Sequence, residues 1–246
     1  MYGTLKKKYG QNFLIDQNVL KKICTLISEK GLNIIEIGPG DGRLTEEVLL
    51  SEPQELKIIE IDPDMIPILE SKFSEYQNIK IINENILYYP LNEKIDLIVS
   101  NLPYNISSQI LVKICLMENP PINLILMFQK EFAERLTDKK LNSLNSLVNC
   151  FYKIDNNFNV SKNCFRPIPK IDSTVLFFKR NKNILLNKIE VNEFIKFKRN
   201  LFSHKRKTLH NLLRDYNFNK KKFNLKLRIE EINLQQLLKI FREINL

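Results

Sequence analysis

The chain has 246 residues, 43% of them apolar, and a formal net charge of +10. That length supports one large domain, or a large and a small one, with ample core. It contains no run of 18 apolar residues and no apolar stretch behind its first lysines, so neither a helical membrane span nor a secretory signal is indicated, and a cytoplasmic protein, or one in an organelle of bacterial origin, is expected. Cys24, Cys115, Cys150 and Cys164 are scattered without a C-x-x-C pair, and His204 and His210 lie apart from the first three, so neither a metal nor a disulfide framework is expected. The charge is unevenly placed. Residues 1–160 carry 17 Lys and Arg against 21 Asp and Glu, whereas residues 161–246 carry 21 against 7. A basic lobe of this kind predicts a polyanionic partner, nucleic acid ahead of membrane because no basic amphipathic helix with a broad apolar face stands out.

In chain order, Asp16 is placed to cap a helix whose apolar positions Val19, Leu20, Ile23, Leu26 and Ile27 keep helical spacing up to Gly31. The stretch NIIEIGPGDGRLTEEVLL then reads as an apolar strand over Ile34 to Ile37, a glycine turn and an amphipathic helix. Further strands are predicted at 56–62, 78–83, 94–101 and 122–129, with helical patterns between most of them. Near-continuous apolar strands alternating with helices predict an α/β fold with a mostly parallel sheet covered on both faces. A helix near 143–153 precedes NFNV and STVLFFKR (173–180), a terminal pair of strands. Beyond Arg180 the strand signal stops. VNEFIKFKRNLF, KRKTLHNLLRDY and NLQQLLKIFREI read as short helices of a second lobe, and the Asn/Lys-rich 181–188 marks the boundary, giving domains 1–182 and 183–246.

Three places carry chemistry. In EIGPGDG (36–42), Gly38, Gly40 and Gly42 allow a ligand close to the backbone, although G-x-G-x-G lacks the third glycine position of a dinucleotide fingerprint. Twenty-two residues after Gly38, Glu60 closes the second strand, where a carboxylate suits both hydroxyls of an adenosine ribose; a nucleoside cofactor with an open diol is expected. Asn85 ends the next strand, where an amide suits a cofactor adenine. The fourth strand runs into Asn101-Leu102-Pro103-Tyr104. Pro103 forbids a helix there, so the segment is extended or turning at a strand's carboxyl end. Taken alone it equally suits turn punctuation. Read with its neighbours, the Asn101 side-chain carbonyl and a backbone carbonyl are acceptors for an amine, and Tyr104 offers a stacking face for the flat ring bearing it. Methyl transfer to a base is the expected reaction.

The segments KKYGQNFL, EIGPGDGRLT, IEID, NLPYNIS, FQKEFAERL, FRPIPKIDS and FSHKRKTLHNLL, in this order and covering nearly the whole chain, resemble the ribosomal RNA adenine dimethyltransferases of the KsgA/RsmA type. The resemblance implies a Rossmann-like S-adenosylmethionine-dependent methyltransferase domain with a small helical C-terminal domain. It implies dimethylation at N6 of two adjacent adenines near the 3′ end of small-subunit rRNA, in an assembling subunit, by a monomer. Asn12, Leu14, Gly38, Glu60, Asn85 and Asn101 correspond to cofactor-binding positions. Asn101, Leu102, Pro103 and Tyr104 correspond to those holding the target adenine, with Phe165 as the second stacking ring. Arg199, Lys205, Arg206 and Lys207 are the expected RNA contacts. Asn85 stands where the family usually has an aspartate, and an amide accepts without charge assistance. The alternatives are an Erm-type large-subunit enzyme, disfavoured by NLPYN, GPG and KRKT, and a non-catalytic nucleic-acid-binding relative, disfavoured by the intact Asn101 to Tyr104.

Overall fold

The computed structural model describes residues 12–204 and 206–244, without the side chains of residues 156 and 157. It divides into two compact units, Met1–Ala133 with Lys153–Arg180 and Glu134–Tyr152 with Asn181–Leu246. The switch at 180/181 falls beside the boundary expected from sequence. The second unit, however, also takes in Glu134–Tyr152, which the sequence reading leaves with the first.

The first unit opens with a short strand β1 (Phe13–Leu14) and helix α1 (Gln17–Cys24). Asp16 caps α1 as expected, its side chain accepting from the amides of Asn18 and Val19. The helix stops seven residues before Gly31, because Thr25 turns its hydroxyl onto the Lys22 carbonyl and the following amides bond three residues back, Leu26 to Ile23 and Ile27 to Cys24. The alternating series then runs β2 (Asn33–Ile37), α2 (Arg43–Leu49), β3 (Glu55–Glu60), α3 (Ile66–Phe73), β4 (Ile79–Asn83), β5 (Leu97–Asn101), α4 (Ser107–Cys115), β6 (Asn123–Gln129) and α5 (Lys130–Thr137). α6 (Asn145–Phe151) leads into β7 (Tyr152–Val160), followed by β8 (Phe165–Arg166) and β9 (Ser173–Arg180).

The sheet order is β4-β3-β2-β5-β6-β9-β7, parallel from β4 through β6 and antiparallel between β6 and β9. Burial explains why these strands are legible: β2, β5 and β6 are buried along nearly every residue, as strands covered on both faces must be, while edge strand β4 is not. Their apolar side chains, with Leu20, Leu44, Val48 and Leu69 from the helices, form one core. From β2 the chain builds outward to β3 and β4, then crosses back to lay β5 on the other side of β2. The carboxyl ends of β2 and β5 therefore flank the point where a doubly wound sheet opens a crevice. Outside the main sheet, β1 pairs antiparallel with β8, Leu14 opposite Phe165.

In the second unit, α7 (Lys188–Ser203) is a long helix with a capping box formed by Asn187 and Glu190. The helix expected over 205–216 is a single turn, α8 (Leu209–Leu212). Its first amides are taken by a turn over 225–227 instead, Leu209 by the Leu227 carbonyl and His210 by that of Leu225. α9 (Leu234–Ile244) closes the unit, with Phe241 packed edge-on against Phe194 at 5.2 Å. The unit as a whole carries 19 Lys and Arg against 8 Asp and Glu.

Candidate active site

A cleft of about 880 Å³, mouth included, opens at the carboxyl ends of β2, β3 and β5 and is lined by residues of the first unit alone. Of the residues singled out in the sequence, Asn12, Leu14, Gly38, Glu60, Asn85, Asn101, Leu102, Pro103 and Tyr104 all line it. Phe165 does not. Its ring is fully buried in the core, because β8 is pinned to β1 and the side chain faces inward with Val160 and Val175. The expectation of a second stacking face there is corrected: of the two aromatics assigned to the target, only the half-buried Tyr104 lines the cleft. In the second unit Arg199, Arg206 and Lys207 are exposed, and Lys205 lies outside the described residues, as does the start of KKYGQNFL.

The glycine turn is built around Glu60. Gly40 has φ +57°, and a Cβ there would come within 2.5 Å of the Phe13 ring, so only glycine fits. Its amide is thereby aimed at Glu60 Oε2, 3.1 Å away, while the Asp62 amide donates to Oε1 at 2.8 Å. Two backbone donors fix the carboxylate and leave each oxygen a lone pair for a ligand. Burial raises the pKa of Glu60, and these backbone bonds oppose the rise.

Across the turn, one hydrogen bond among the described residues orients the Asn101 amide. Its Nδ2 donates to the Asn12 carbonyl at 2.9 Å. With the donor end engaged, Oδ1 is the end that remains as an acceptor. The adjoining backbone is held by Pro103, whose carbonyl accepts from the Ile106 amide at 3.2 Å and the Ser107 hydroxyl at 3.1 Å. Ser100 ties β5 to β2 through the Ile37 carbonyl. On the third side, Asn85 accepts the Leu87 amide through Oδ1 at 3.0 Å, and Lys113 of α4 gathers the same loop by donating to the carbonyls of Leu87 and Tyr89. One acceptor is thus already spent within the loop. Asn85→Asp supplies a second, charged oxygen, so cofactor affinity should rise by a few-fold, about 1 kcal/mol or less, as calorimetry would read directly.

Sequence reasoning passed over Glu36. This acid sits in an apolar strand two residues before Gly38, lines the cleft, and has one oxygen, Oε2, with no hydrogen-bond partner among the described residues. Burial pushes its pKa up to about 8, the Thr45 hydroxyl and the Lys72 ammonium opposing and the Glu60 and Asp41 carboxylates adding to the rise. A charged residue inside a run of isoleucines was the available signal. An unpartnered buried acid oxygen, a fixed carboxylate and a glycine cradle form a wall that a polar, nucleoside-bearing ligand would complete.

A family model described as ribosomal RNA adenine dimethylase matches residues 3–246. Ribosomal RNA small subunit methyltransferase A of Sulfurihydrogenibium sp. is 36% identical over 247 residues, covering 96% of this chain and 95% of its own. The protein of the same name from Mycoplasma capricolum is 37% identical over 261 residues, covering 97% of each. A dimethyladenosine transferase crystal structure from Plasmodium falciparum superposes with a TM-score of 0.83 at 26% identity, over 95% of this chain and 97% of that one. The 23S rRNA methyltransferase ErmE follows at 0.75 and 24%, over 95% and 100%, a likeness of fold.

Proposed function

The chain belongs to the ribosomal RNA adenine dimethylase family, and from that membership we propose how its residues divide the work. It is an S-adenosylmethionine-dependent enzyme that dimethylates adenine in small-subunit rRNA. The reading extends to two adjacent adenines near the 3′ end, met by a monomer on an assembling subunit in the cytoplasm; no described helix is long and apolar enough to cross a membrane. The first unit is the methyltransferase domain and the second the RNA-binding domain, with Arg199, Lys205, Arg206 and Lys207 on phosphates. Its excess of 11 positive charges supports that division.

The observation that carries the assignment of roles is the Asn101 tether. S-adenosylmethionine supplies an electrophilic methyl group when bound. In the proposed site Glu60 accepts the ribose hydroxyls, Asn85 and Ile86 meet the adenine edge, and Gly38 and Asn12 border the amino-acid end, where Glu36 waits with an unpartnered oxygen. The target adenine leaves its stack and lies on Tyr104. Asn101 Oδ1 and the Leu102 carbonyl accept the two hydrogens of its amine. That geometry favours the nitrogen whose lone pair has left ring conjugation, and so the transition state over the ground state. No strong base is required, because the methylated, positively charged nitrogen is acid enough to release a proton to water.

The test is to incubate the protein with methyl-labelled cofactor and separated ribosomal subunits and to map the modified base. Label on small-subunit adenines is the expected result. Label confined to the large subunit would establish the Erm-type reading, and no label on either the non-catalytic one.

A further inference from the structure

We propose that Ser173 is a positioning residue for the target base, acting through the Tyr104 hydroxyl. The inference rests on the reading of Tyr104 as the platform for the adenine. The two hydroxyls lie 2.8 Å apart, although 69 residues separate them in the chain. Ser173 is fully buried and is the first residue of β9, in register with Gln129 at the end of β6. Immediately before it, the Asp172 carbonyl accepts the Lys130 amide at 3.0 Å. Ser173 is therefore fixed by the sheet and has little freedom to follow a moving partner. Tyr104 is held at its other end by the turn around the Pro103 carbonyl.

A tyrosine fixed only at its backbone swings between staggered χ1 wells, and its ring face swings with it. Bonding its far end to the sheet removes that freedom before the base arrives. A base laid on such a ring takes its tilt from the ring, and the tilt sets where the exocyclic amine sits relative to Asn101. Burial raises the Tyr104 pKa, the Ser173 bond opposing, so the phenol stays neutral and keeps its proton for the hydrogen bond. Tyr104 lines the cleft and Ser173 does not, so the anchor touches the ring and none of the cofactor walls. It adjusts the target alone.

The experiment is a double-mutant cycle of Tyr104→Phe and Ser173→Ala, assayed for kcat and KM on small ribosomal subunits, with cofactor binding by calorimetry and melting followed in parallel. Each single change should lower kcat by about three- to tenfold, the worth of one hydrogen bond, with cofactor affinity unchanged. The double variant should be no slower than the slower single, because both remove the same bond. Ser173→Thr, which keeps the hydroxyl, should recover most of the loss. Losses that multiply in the double variant, or wild-type kcat in Tyr104→Phe, would overturn the proposal; the second result stands even if Ser173→Ala fails to fold. Tyr104→Ala separates the two levels. If it too matches the wild type, the platform reading fails, whereas a deep loss in Tyr104→Ala with none in Tyr104→Phe removes only the role of Ser173.

Discussion

Asn101→Ala should lose about 100- to 1000-fold in methyl transfer, some 3–4 kcal/mol of transition-state stabilisation, the cost typical of removing one preorganised polar partner. Its side chain is already paired, Nδ2 on the Asn12 carbonyl at 2.9 Å, so no reorganisation is needed when the amine arrives. Asn101→Asp makes the argument sharper. The variant keeps an acceptor but has no donor for the Asn12 carbonyl, and an ionised oxygen facing that carbonyl must turn away. It should therefore be nearly as slow as the alanine variant despite its near-identical shape. Single-turnover transfer to small subunits measures both, with circular dichroism confirming the fold. Asn101→Ala within a few-fold of wild type would show that the amine is held elsewhere.

Glu60→Ala should weaken cofactor binding by about 30-fold or more, roughly 2 kcal/mol, because buried ribose hydroxyls lose a charged acceptor. The Gly40 and Asp62 amides lose their partner as well, so the glycine turn loosens and the melting temperature should fall alongside. The sign of the pH effect follows from burial. Hydroxyl donors bind the ionised carboxylate, and the raised pKa of Glu60 means that the proton which displaces them arrives at a higher pH than at an exposed glutamate. Affinity should accordingly rise with pH through that raised value and level off above it. Glu60→Gln, which does not titrate, should abolish this part of the profile. Calorimetry across the acid range decides it, and a wild-type affinity in Glu60→Ala would remove Glu60 from the ribose.

The central sheet was legible because β2, β5 and β6 are buried on both faces and so are written as apolar runs. The cleft was legible where backbone geometry restricts the residue, at Gly40 and at Pro103. Other features depend on partners distant in sequence. Nothing in LHNLLRDY announces that the amides of Leu209 and His210 belong to residues 225–227, so the helix read there is one turn long. The pair β1 and β8 is two residues a side, too short for any periodicity, yet it is what buries Phe165. The segment NSLVNCF has an apolar face in either setting, and the sequence does not say which core receives it.

That last segment has a consequence for the order in which the protein can be made. The first residue of α6 bonds upstream, Asn145 to the carbonyls of Asp138 and Lys140, but its carboxyl half and the residue before the helix's cap find partners downstream of β9: the Asn181 amide donates to the Phe151 carbonyl and its side chain to that of Asn149, the Leu185 amide to Cys150, and the Lys198 ammonium to Ser143. Synthesis runs from the amino terminus, so α6 leaves the ribosome with Leu147, Val148, Cys150 and Phe151, buried in the finished protein, before residues 181–246 of its own unit have been made. A message cut anywhere between codons 153 and 181 would yield the strands of the cleft with an orphaned apolar helix attached, a species prone to aggregate or be degraded. For the same reason residues 181–246 are a poor fragment to express alone, and a chimaera that exchanges the basic lobe must carry 134–152 with it.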